Sequence, residues 1–92
     1  MAHTSREELL RKLEAAKEVV RIGETWQHTK TGGRYMIESV GIDEDEEAVK
    51  IGYLELDHDP PITWYRSFDL KDGWIVPTEI EGEMKPRFTK VQ

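Results

Sequence analysis

The residues best suited to chemistry are a set of cations interleaved with aromatics. From Gly23 to Tyr35 the chain reads Gly-Glu-Thr-Trp-Gln-His-Thr-Lys-Thr-Gly-Gly-Arg-Tyr, followed later by Trp64-Tyr65-Arg66 and Pro86-Arg87-Phe88. His28 and Lys30 stand two apart and would share one face of an extended segment, with Arg34 or Tyr35 joining them across a hairpin. With Arg66 and Arg87 as planar forks, they could cradle a phosphate or a carboxylate. The competing reading has the same side chains paired with Glu38, Glu55 or Asp69, holding the fold together. Trp26, Tyr35, Tyr53 and Trp64 supply either a stacking or cage surface or the core itself. Trp74 and Phe88 are assigned to the core. The candidate ligand-binding set is therefore Trp26, His28, Lys30, Tyr35, Tyr53, Trp64, Arg66 and Arg87. Arg66 is the most informative member, because its neighbours Trp64 and Tyr65 could support a guanidinium that points outward.

Other chemistries find little footing. The chain has no cysteine, which removes thiolate catalysis and disulfides and fits a reducing cytoplasm. It has no Gly-x-Ser-x-Gly elbow, no phosphate loop and no His pair at i, i+4. Glu38 or Glu55 could serve His28 as acid or base, but no spacing demands it. The acidic run Asp43–Glu47 lacks the alternation of a calcium loop and reads as a solvated loop. Asp57-His58-Asp59, followed by Pro60-Pro61, reads as a turn with capping carboxylates. The expectation is a protein that is not an enzyme, with no cofactor, catalytic or metal residue assigned.

Charge narrows the partners. The net charge is −6, and eight acids against Lys50 alone fall between Asp43 and Asp59, so the rest of the chain sums to +1. This argues against duplex nucleic acid, which needs several phosphate-facing cations, and weakens the case for single strands. A small anion held by two or three focused cations stays open. The alternative is a protein–protein adaptor that uses the acidic 43–59 edge or the N-terminal helix, steered toward a basic partner. No apolar run reaches membrane length, so the expected location is the cytoplasm.

The elements that must position these residues fall into a helical segment, 1–22, and a β domain, 23–92. Ser5 and Glu8 have capping-box spacing, acids open the helix, and Lys17 and Arg21 close it ahead of Gly23. Leu9, Leu13, Ala16 and Val20 form one apolar stripe, fit to plug a barrel end, to pair two copies as a homodimer or to anchor another partner. Beyond Gly23 the period becomes two. Strands are expected at 25–29, 34–42, 48–56 and 62–68, with a short piece at 74–76, a crossover at 79–83 and a closing strand at 86–90. Gly41 is the expected bend or bulge. One helix and five to six short strands predict a mainly β fold, a small SH3-like open β-barrel.

The order Gly23, Trp26, His28, Lys30, Tyr35, then Tyr53, then Trp64 and Arg66, then Pro86-Arg87-Phe88 resembles the bacterial and phage family called domain of unknown function 1653. The resemblance spans roughly residues 23–90 and leaves the helix outside. It implies an SH3-like small barrel with a shared aromatic and arginine face, and it assigns no activity. The chain departs from the pattern at Trp26 (Tyr in the family), at Thr29 (an aromatic), at Ser67 (Pro) and in the acidity of 43–47.

Overall fold

A computed structural model describes residues 4–91. The element order is α1 (Arg6–Val19), β1 (Thr25–His28), β2 (Arg34–Asp43), β3 (Ala48–Glu55), β4 (Thr63–Ser67), β5 (Thr78–Ile80), β6 (Glu83–Lys85) and β7 (Phe88–Lys90). The fold is mainly β with one N-terminal helix, as the change of period predicts. The helix reading for residues 1–3 lies outside the described residues.

Ser5 caps α1 by accepting from the Glu8 amide at 3.2 Å. The predicted stripe faces the sheet: Ala16 and Val20 are buried in the core, and Leu13 packs against it beside Val40 and Ile42. The C-terminal part of the stripe is therefore spent within the chain, while Leu10 beside it stays exposed.

Strands β4-β3-β2-β1-β7 form one antiparallel sheet, a meander of β1 to β4 in which β7 returns to pair with β1. Neighbouring strands lie about 4.7–4.9 Å apart, so β4 and β7 would be roughly 19 Å apart in a flat sheet. Yet the Arg66 guanidinium carbon on β4 sits 5.4 Å from the centre of the Phe88 ring on β7. The sheet thus curls until its two edges approach, while β4 and β7 stay unbonded and leave an open seam.

Four sequence expectations are corrected. The bulge falls at Glu38 rather than Gly41: the β2–β3 register shifts between Ile37 and Ser39. One extra residue there reverses the alternation, so Val40 and Ile42 turn inward opposite Ile51 and Val49, and Ser39 turns outward over Gly52. Trp74–Val76 is a turn, pinned by Trp74 N–H to Ser67 O at 2.8 Å and Ile75 N–H to Phe68 O at 3.0 Å. The expected crossover is a separate hairpin, β5–β6, turning at Glu81 and Gly82 with φ of 52° and 83°. The described strands number seven, in two sheets, where five to six were expected.

The core is an aromatic stack. Trp74 (2% exposed) lies parallel to Phe88 (5% exposed), ring centres 3.7 Å apart, and Trp26 and Tyr53 meet Trp74 edge-on at 5.7 and 5.0 Å. The Trp74 indole N–H is buried with no acceptor among the described residues, a cost offset by this stacking.

Candidate functional site

The curl builds a hollow of about 220 Å³ at the seam, lined by His28, Thr31, Tyr35, Tyr53, Glu55, Trp64, Arg66 and Phe88. Five of these, His28, Tyr35, Tyr53, Trp64 and Arg66, come from the candidate set read from the sequence. Phe88 forms its floor, with His28 edge-on at 5.0 Å, Tyr53 at 5.8 Å and Tyr35 at 6.4 Å.

Arg66 is held from three sides. Its Nε donates to the Tyr53 hydroxyl at 3.3 Å, its Nη1 donates to the Asp72 carbonyl at 2.6 Å, and its charge lies over the Phe88 ring. Among the described residues it forms no ion pair with any carboxylate. The loop that offers the Asp72 carbonyl depends on Gly73. A Cβ there would lie 2.8 Å from the carbonyl oxygens of Leu70 and Phe68, closer than a side chain can sit.

Trp64 is 47% exposed, yet its orientation is fixed, because its indole N–H donates to Glu55 Oε2 at 2.8 Å. The other Glu55 oxygen accepts the Ile62 amide at 3.0 Å. The Trp64 hydrogen bond is the chief reason the Glu55 carboxyl sits below its usual range, burial opposing it and the Ile62 amide assisting. Glu55 is the carboxylate lining this hollow, and both its oxygens are engaged within the chain.

His28 is tuned toward neutrality. Burial lowers its proton affinity first, and Arg66, Arg87 and Lys30 lower it further. The Thr31 amide donates to Nδ1 at 3.3 Å, and the Thr31 hydroxyl lies 3.1 Å from the same nitrogen. Nδ1 is therefore the acceptor, and the hydrogen-bond network places the proton on Nε2. Gly32, at φ 79°, closes this turn with its amide on the His28 carbonyl at 2.7 Å. Tyr35 keeps its phenol proton: burial raises its pKa, and Tyr53 and Glu55 add to the effect.

Three expected site residues stand elsewhere. Trp26 is buried and donates to Glu24 at 3.2 Å, so it belongs to the core. Lys30 is exposed outside the hollow and reaches His28 only through its field. The Arg87 side chain is 14% exposed and turned away, its Nε on the Val76 carbonyl at 3.1 Å and its Nη2 3.5 Å from Asp72 Oδ1. Arg34 is paired too, binding Asp57 at 2.8 Å. Glu38 accepts from Thr63 at 2.7 Å. The ion pairs expected from His28, Lys30 or Arg66 to Glu38, Glu55 or Asp69 are not among those formed by the described residues.

Sequence reasoning missed Thr31, Phe88 as a site floor, and Glu55 as the anchor of Trp64. For Glu55 a signal existed: it alternates with Tyr53 on β3 and so faces the same side. No family model, curated protein or solved structure matches the chain. Among the described residues, no helix is long and apolar enough to cross a membrane.

Proposed function

We propose that this chain is a non-enzymatic binding module of the cytoplasm, an SH3-like small barrel that holds a small anionic or nucleotide-like ligand at its seam. The observation that carries this reading is Arg66, a half-buried guanidinium with two neutral hydrogen-bond acceptors, an aromatic ring beneath it and no carboxylate partner. A cation removed from water without a counter-charge is costly, and an incoming anion relieves that cost. Burial, and after it the positive field of Arg66, Arg87 and Lys30, lowers the proton affinity of His28. That field argues against a cation in an aromatic cage, since the face over Phe88 is already occupied by Arg66. Trp64, exposed and fixed by Glu55, adds a plane on which a base can stack. The adaptor reading has less to work with. Leu13, Ala16 and Val20 pack against the chain's own sheet, and in the acidic region Asp57 is paired with Arg34 and Glu46 with Lys50.

Amide NMR titration with mononucleotides and simple carboxylates tests this reading. Shifts should cluster at His28, Tyr35, Trp64 and Arg66. Arg66→Ala should weaken binding at least tenfold while the folded spectrum persists. A silent panel in a well-folded protein overturns the reading.

A further inference from the structure

A second hollow, of about 510 Å³, adjoins the first and shares Tyr53, Trp64 and Arg66 with it. Its other lining includes Tyr65, Leu70 and Lys71. Trp64 and Tyr65 point to opposite faces of β4, so this hollow reaches round the free edge of the sheet. Its acids are already engaged: Glu46 pairs with Lys50, and the Asp72 carboxylate pairs with Arg87. Of the charges lining the two hollows, Arg66 and Lys71 have no ion-pair partner among the described residues, and neither does Glu55, whose oxygens accept the Trp64 indole N–H and the Ile62 amide.

We infer that the two hollows form one groove for a single-stranded dinucleotide step, with the bridging phosphate on Arg66 and one base in each hollow. This rests on the anion-binding reading of the seam and specifies its ligand. The layout matches the chemistry of the ligand. A single strand presents one phosphate between two flat bases, and the groove presents one unpaired arginine between two hollows edged by Trp64 and by Tyr65. A run of acidic residues alone would satisfy Arg66 but has no aromatic ring to stack on those two exposed rings. A net charge of −6 is compatible with this ligand, because the contact asks for a single phosphate and draws the rest of its affinity from stacking.

Isothermal titration of the full chain with thymidine 5′-monophosphate and with the dinucleotide d(TpT), lacking terminal phosphates, tests the inference. The dinucleotide carries the smaller charge, so tighter binding cannot come from electrostatics alone. It should bind at least tenfold more tightly, with a logarithmic salt slope of about −0.7, the value for one phosphate. Tyr65→Ala should erase that preference, and Arg66→Ala should weaken both ligands. Equal or tighter binding of the monophosphate overturns the groove while leaving the seam site intact. Displacement of d(TpT) by oligoglutamate at lower concentration overturns the ligand class. Absence of binding by either nucleotide in a folded protein overturns the groove, and only silence toward simple carboxylates as well removes the seam reading.

Discussion

Arg34 and Arg66 lie on β2 and β4, either side of β3, and meet opposite fates. Arg34 is exposed and finds Asp57 twice, through its side chain at 2.8 Å and through its backbone amide at 2.9 Å. The hydrogen bond and charge of Asp57 raise its pKa, and the same contacts lower that of Asp57. Arg66 is half-buried over Phe88 and holds only neutral acceptors. The contrast teaches where to look for function in a strongly charged chain. Counting charges marks 43–59 as the conspicuous region, yet that region settles several of its charges internally. At the seam, by contrast, Arg66 lies over an aromatic ring with no carboxylate partner.

The sharpest way to break this contrast is to remove the floor that the seam shares with the core. Phe88→Ala should cost about 3–5 kcal/mol in urea unfolding, because it strips the stack on Trp74 as well as the support of Arg66. A cost under about 1 kcal/mol would mean that the stack is not the centre of the core. Next comes Arg66→Ala. Its half-buried cation–π contact is worth about 0.5–2 kcal/mol, so Tm should fall by only several degrees while ligand binding is lost. Unfolding of this variant would make Arg66 structural and erase its difference from Arg34.

His28 gives a smaller, pH-dependent effect. Its folded pKa lies below the unfolded value near 6.5. The unfolded chain therefore binds more protons in that window. The stabilisation is complete above the ordinary histidine range and is lost as pH falls through the lower folded value. His28→Asn should flatten this part of the Tm–pH curve, and an unchanged slope would remove His28 from the seam's electrostatics. The smallest effect belongs to Arg34→Ala. An exposed pair of this kind contributes little, so Tm and ligand affinity should both stay within experimental scatter. Lost affinity would extend the site to β2's outer end.

Much of this was legible in the sequence, for definite reasons. The stripe Leu9–Leu13–Ala16–Val20 and the Ser5 cap announce α1, because a helix has one period and one start signal. His28, Tyr35, Tyr53, Trp64 and Arg66 could be placed on one face because strand alternation fixes side. Alternation fails at Glu38, where a register shift depends on pairing with β3 rather than on any local residue. Trp26 reads as a site residue because alternation puts it on the same side of β1 as His28, and only the curl turns it into the stack on Trp74. Arg87 was misplaced because its fork turns to the Val76 carbonyl, a partner that exists only once the 70–76 turn has formed.

The bulge at Glu38 also sets how β2 can tolerate changes in length. Upstream of it, Tyr35 and Ile37 face inward on odd positions; downstream, Val40 and Ile42 do so on even ones. A single-residue deletion at this point would remove the bulge and leave Tyr35, Ile37, Val40 and Ile42 all inward on a regular strand, whereas gain or loss of one residue elsewhere in β2 would turn one half's apolar side to water. The strand thus tolerates loss of the bulged residue but not a one-residue change on either side of it, and insertions and deletions should otherwise collect at the hairpin tip, Gly32 and Gly33.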